Sequence, residues 1–288
     1  MSRVLRPVLA AALLIPVLAG CAEAAQPATE PAPAASTPAA PSPSVFAVEP
    51  ASGSVSGGTQ ITARGIALEG VTTARVGAVE VPVAPAGDGA SVTLTAPASA
   101  NFAAGSQPLV LLDGAGTTVY EGQFDYQVVT PVDRQLAYAL AHWKNYNTAE
   151  FETLGDTDCV NFTSQTLLAR GWTQSDEWHY GSSGVLSASA TWRSSTAMRN
   201  WLQTRPDLAT PLDDSQRDQV VVGDIAQFDW DNTGDRDHTG VVTKVEKTDA
   251  GTKIYFAGHT LDSDYRDVDQ AITVDHPGGT AYYWHLAQ

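Results

Sequence analysis

The chain changes its sequence grammar at Pro131, and that switch constrains the fold more than any other feature. From Val45 to about Val129, short runs such as Gln60-Ile61-Thr62-Ala63 and Ser91-Val92-Thr93-Leu94-Thr95 are separated by Gly, Pro and Asp clusters. Alternating runs this short, broken at close intervals by turn residues, predict an all-β sandwich over 45–129. Beyond Pro131 the period lengthens. Leu136, Ala139, Leu140 and Trp143 share one face of a helix predicted over 132–145. A second helix is predicted over 156–169, closed by Arg170-Gly171, and a third over 191–202 ahead of Pro206. The Trp residues on these helices read as core. Strands follow at 220–222, 224–230, 240–246, 253–257 and 280–286. Helices first and an antiparallel sheet afterwards is the α+β class, assigned to 131–288.

The N-terminus reads as a secretion signal over 1–21. Arg3 and Arg6 precede an apolar run from Val8 to Leu18 that is too short to span a bilayer comfortably. It ends in Leu18-Ala19-Gly20-Cys21, which resembles the lipobox of bacterial lipoproteins. That resemblance implies cleavage before Cys21, a diacylglyceryl group on its sulfur, and an extracytoplasmic protein anchored at the bacterial cell membrane. Residues 22–44 are nearly all Ala, Pro, Ser and Thr and predict a disordered, extended tether.

The formal charge is −16, and residues 131–288 carry 23 acidic against 12 basic side chains. No basic stripe exists, so nucleic acid is excluded as a partner class. Attraction to an anionic membrane must then come from lipid rather than from the protein surface. Such a surface favours cationic or zwitterionic peptides over polyanions.

With Cys21 in the signal, Cys159 is the one cysteine left to the mature chain. A solitary thiol outside the cytoplasm has no partner for a structural disulfide and is exposed to oxidants. It stands in Asp156-Thr157-Asp158-Cys159-Val160-Asn161, at the predicted start of a helix. The partial positive charge of a helix N-terminus readies a thiol for nucleophilic attack. Thr157 or Asp158 is expected to cap that helix through a side-chain oxygen. Asp156 and Asp158 push the thiol pKa upward, so a nearby imidazolium is expected to compensate. His238 begins one predicted strand and His259 ends the next, which can bring both rings to one sheet edge as base and orienter. Asp262 or an Asn is a rival orienter. The backbone N–H of Cys159 is the expected first oxyanion donor, with Asn161 or Tyr146 as candidate side-chain donors and Asp158 as a cap or substrate contact.

Two resemblances follow from these residues. Val48-Glu49-Pro50, Gly53, Gly57-Gly58-Thr59, Gly65 and the closing Phe124-Asp125-Tyr126 resemble the TIG family of immunoglobulin-like modules. Asp158-Cys159, Asn161-Phe162, Ser164-Gln165, Gly171-Trp172, Gly223-Asp224, Asp237-His238, Val241-Val242 and His259-Thr260 resemble the putative amidase domain family. That family is similar to the NlpC-type and CHAP-type cell-wall hydrolases of the papain-like superfamily. The resemblance implies a papain-like α+β fold and an amidase or peptidase without cofactor, with peptidoglycan or a related peptide as substrate. It assigns Cys159 as nucleophile, His238 as general base and acid, and His259 as the third polar residue. A lipoprotein that only binds wall peptides through a hydrolase-like fold is the competing reading, and an acyl-transferring crosslinker a third.

Asp229, Asp231 and Asp235 offer oxygens at alternate positions with Gly234 sixth, as in a calcium loop. Gly240 occupies the twelfth position, where a bidentate Glu belongs, so the segment reads as a solvated turn. The scattered histidines exclude a zinc site. Oligomeric state is not encoded in any of these patterns.

Overall fold

The computed structural model describes residues 40–287. The signal 1–21 with Cys21, and most of the tether 22–44, lie outside the described residues. Among the described residues no helix is long and apolar enough to cross a membrane.

The N-terminal part is a β-sandwich. One sheet holds β1 (Ser44–Glu49), β3 (Gln60–Ile66), β6 (Ala84–Pro85) and β7 (Ser91–Thr95), in the order β1-β3-β7-β6. The other holds β2 (Ser52–Ser54), β4 (Val71–Val76), β5 (Val79–Pro82), β8 (Gly105–Asp113) and β9 (Thr118–Gln127), in the order β2-β9-β8-β4-β5. Alternation sends Ile61, Ala63, Val92, Leu94, Leu109, Leu111 and Phe124 inward, where all are buried.

Helix α1 (Pro131–His142) joins the two parts. Thr130 caps it: its hydroxyl accepts from Asp133 N, Asp133 accepts in return from Thr130 N, and Pro131 opens the first turn. The other Asp133 oxygen reaches into the sandwich, accepting from Ser54 Oγ at 2.6 Å and Ser56 N at 3.0 Å. Burial opposes ionisation there, but these hydrogen bonds prevail and hold the Asp133 carboxyl below its usual range. Val132 and Leu136 of α1 pack directly into the sandwich core, so one apolar interior crosses the junction.

The C-terminal part is a β-rich sheet fold with few helices. Six antiparallel strands run in the order β10-β15-β11-β12-β13-β14: β10 (Ala209–Asp213), β11 (Ile225–Asp229), β12 (His238–Thr248), β13 (Gly251–Gly258), β14 (Ser263–Asp267) and β15 (Thr280–Leu286). One face packs against α2 (Cys159–Arg170), α3 (Ala190–Arg193) and α4 (Ser195–Leu202), burying Val160, Trp178, Trp192, Met198, Ile225 and Trp284 together. The opposite face buries Leu212, Phe228, Val242, Phe256 and Val268.

Several expected elements differ. The helix expected over 191–202 is two, because Ser194 adopts extended angles (φ −126°, ψ 126°) and caps α4 by accepting from Ala197 N. The second helix starts at Cys159 rather than Asp156, with a single 3₁₀ turn at Gly155–Thr157 before it. Val220–Val222 is no strand: Gly223 (φ 88°) turns the chain sharply into β11. Gly171 (φ 111°) does close α2, its N–H bonding the last carbonyls of the helix.

Candidate functional site

Cys159 is the first residue of α2 and is 6% exposed. Nearly every side chain of α2 is buried, so the helix is clamped from several sides and its N-terminus is fixed in space. No side chain caps it, contrary to the expectation for Thr157 or Asp158. No N-cap side chain therefore takes up the backbone N–H groups of its first turn.

Cys159 lines a cavity of about 310 Å³ together with His238, Ser195, Arg193, Arg236 and Thr260. Asp156 and Asp237 add carboxylates to the same walls, so both signs of charge face the opening. Two residues distant in sequence, Cys159 and His238, thus line one cavity. Among the described residues no hydrogen bond joins them. His238 pairs in register with Phe228 and packs near Phe228, Trp230 and Phe256, at ring-centroid distances of 5.9, 5.8 and 5.8 Å. Its imidazole therefore belongs to the sheet face opposite α2. Burial, reinforced by Arg266 and His276, pulls its pKa down to about 3. The expected imidazolium beside the thiol is absent for that reason: the ring is neutral at neutral pH.

Burial also raises the thiol pKa of Cys159. The Ser195 hydroxyl and the backbone N–H groups of Thr239 and Val160 act against that rise, while the Asp158 carboxylate adds to it. The Ser195 oxygen lies 3.8 Å from the sulfur.

His259 does not orient His238. Its Nδ1 lies 2.5 Å from Asp158 Oδ2 and its Nε2 2.9 Å from the His142 carbonyl oxygen. The ring is stacked between Tyr146 and Phe162, with centroids 3.7 and 4.1 Å away. Strand register explains the separation. Val241 pairs with Ala257, which sets Thr239, not His238, opposite His259. The two imidazoles consequently take opposite faces.

The remaining candidates have structural partners. Asp158 is fully buried and accepts from Leu154 N, Asn161 Nδ2 and the His259 ring. Asn161 donates to the Glu152 carbonyl and to Asp158, and accepts from Trp192 Nε1 at 2.8 Å. The Tyr146 hydroxyl donates to Asp262. Neither Asn161 nor Tyr146 has a donor left for an oxyanion, which leaves the backbone of α2. Asp262, the rival orienter, is spent on Tyr146.

The acidic loop brings carboxylate oxygens of Asp229, Asp231, Asp235 and Asp237 within 4.8 Å of one another. Asp229 accepts from Thr233 N and Gly234 N, and Asp237 accepts from Trp230 N. The Arg236 guanidinium stands 3.7 Å from Asp229. A cation is thus already part of this cluster, and its other oxygens hold a turn together.

Residues 132–283, just over half of the chain, match the family described as "Putative amidase domain". The chain belongs to that family. Ahead of its amidase domain, residues 43–126 match the IPT/TIG domain. No curated protein matches the chain. Among solved structures, SGBP-B from a complex xyloglucan utilization locus in Bacteroides uniformis is 20% identical over 30% of this chain and 23% of that one, with a TM-score of 0.24. An auxiliary nutrient binding protein from Bacteroides ovatus is 19% identical over 31% of this chain and 21% of its own, at 0.23. The SGBP-B of the mixed-linkage glucan utilization locus of Bacteroides ovatus, solved with a mixed-linkage heptasaccharide, is 14% identical over 82% and 48%, at 0.22. This amidase-family chain spans less than half the length of each, and at such scores the likeness supports no statement about activity.

Proposed function

We propose that the protein is a cysteine-dependent amidase or peptidase of papain-like α+β fold, acting outside the cytoplasm on peptidoglycan or a related peptide. The observation that carries this reading is the cavity at the start of α2, which a solitary cysteine and a neutral histidine line together. Thiol and imidazole both start uncharged. On this reading the His238 ring must leave its packing against Phe228, Trp230 and Phe256, where burial makes it too weak a base, to take the thiol proton as Cys159 attacks the amide carbon. The proton passes to the departing amine, and water then hydrolyses the thioester with His238 again as base. Backbone N–H groups of the first turn of α2 face the developing oxyanion. His259 acts as a positioning residue, holding Asp158, the residue before the nucleophile. Arg193 and Arg236 lining the cavity together with Asp156 and Asp237 suit a zwitterionic peptide. The lipid on Cys21 is the proposed membrane anchor.

The test is release of new amino termini from purified cell wall by the wild type and by Cys159→Ser. The expected result is turnover that vanishes in the variant without loss of folding. Absence of wild-type turnover on wall and on peptide substrates would refute the proposal. A second reading, a wall-binding protein using a hydrolase-like fold, is favoured by the near-complete burial of the thiol and by the packing of the His238 ring. It requires that Cys159→Ala leave wall binding intact and that the wild-type thiol resist alkylation.

A further inference from the structure

Behind Cys159 lies a chain of four buried polar side chains whose hydrogen-bond direction is fixed from its far end. Trp284 Nε1 donates to Gln227 Oε1 at 2.8 Å. An indole N–H can only donate, so the amide orientation of Gln227 is settled and its nitrogen faces the other way. That nitrogen donates to the Ser195 carbonyl at 2.9 Å and to Thr239 Oγ1 at 3.1 Å. Thr239 in turn donates its single hydroxyl proton to Ser195 Oγ at 2.9 Å. Among the described residues, the one acceptor left for the Ser195 proton is the sulfur of Cys159, 3.8 Å away. Ser195 and Trp284 are 5% and 3% exposed and Gln227 and Thr239 are 0%, so water does not compete along this path.

We propose that Ser195 is a catalytic residue of the Cys159 centre, donating a hydrogen bond to the thiolate from a hydroxyl that Thr239, Gln227 and Trp284 hold in donor orientation. The proposal rests on the reading of Cys159 as the nucleophile. Each member has its acceptor capacity engaged from behind, and polarisation along such a chain strengthens the last bond. The thiolate needs this help because burial disfavours its charge and the His238 ring is neutral. Ser195 also opens α4, which fixes its backbone, and the Thr239 hydrogen bond holds its hydroxyl oxygen in place.

The experiment is the pH dependence of Cys159 alkylation by iodoacetamide in the full chain, with Cys159→Ala subtracting any labelling at Cys21. Ser195→Ala is expected to raise the midpoint by about one pH unit and to slow alkylation at pH 7 roughly tenfold, since hydrogen bonds to charged groups are the strong ones. Thr239→Val, which leaves Ser195 in place without its support, is expected to slow it by a smaller factor, on the order of threefold. Thr239→Ser is expected to behave as wild type. A wild-type midpoint in a folded Ser195→Ala overturns the proposal. Should that variant not fold, equal midpoints in Thr239→Val and Thr239→Ser overturn it instead. If no wall peptide is hydrolysed by the wild type but the midpoint still moves in Ser195→Ala, the hydrolase reading fails while the donor role of Ser195 stands.

Discussion

Replacing His238 with Gln should flatten the acid side of the stability curve. The folded protein holds His238 at about 3, against an ordinary value of 6.5, because its ring is buried against Phe228, Trp230 and Phe256 with Arg266 and His276 nearby. A depressed folded value means that the unfolded chain binds a proton which the folded chain refuses. The stability tied to this residue is therefore complete above pH 6.5 and drains away as pH falls toward 3. The whole gap corresponds to about 5 kcal/mol, at about 1.4 kcal/mol per pH unit. Between pH 6.5 and 4.5 the loss is roughly 2–3 kcal/mol, or a fall of about 5–10 °C in melting temperature for a chain of this size. Gln has no proton to bind, so the variant lacks this part of the slope. Its lost ring packing lowers the whole curve without tilting it. Other groups, including Asp133 and Asp224, titrate alike in both proteins and cancel in the comparison. The assay is thermal unfolding followed by circular dichroism at half-unit steps of pH. Parallel curves for wild type and His238→Gln would refute the argument, and with it the neutral imidazole assigned to the site.

Two further substitutions probe the frame around the cavity. Asp133→Asn turns a carboxylate that accepts from Ser54, Ser56, Val129 and Thr130 into an amide presenting a donor to donors, and should cost about 3 kcal/mol in urea unfolding; a loss below about 1 kcal/mol would remove its importance at the junction. Gly240→Ala would set a Cβ 2.5 Å from Phe256 Cδ2 and 2.7 Å from the Ala257 oxygen. About 1–3 kcal/mol of overpacking is expected, and an unchanged unfolding midpoint would show that β13 yields where the structure says it is tight.

Sequence periodicity located β11, β12, β13 and β15 but missed β10 and β14, and the reason is positional. Those two are the edges of the sheet. β10 contains Pro211, which an edge tolerates, and β14 is Ser-Asp-Tyr-Arg-Asp, half-exposed throughout and without an apolar face. Val220–Val222 misled in the opposite sense, an apolar run stopped by Gly223. At the site, an unpaired cysteine at a helix start was legible, and so was its nearness to the histidine that opens β12, since both line one cavity. The direction of the His238 side chain was not, because parity along a strand depends on register, and no residue type marks it. Nor was the role of Ser195: a serine that starts a helix looks like an ordinary cap, and Gln227 and Thr239 look like the polar half of an alternating strand. Their meaning comes only from facing one another across α4, β11 and β12.

The apolar interior that passes from the sandwich into α1 has a practical consequence for ligand discovery. Two halves sharing one core unfold together, so whatever either half grips stabilises both by mass action. A single melting transition then reports on the entire surface. Screening wall fragments and glycans by thermal shift would register a ligand of the TIG module as readily as one bound at the Cys159 cavity.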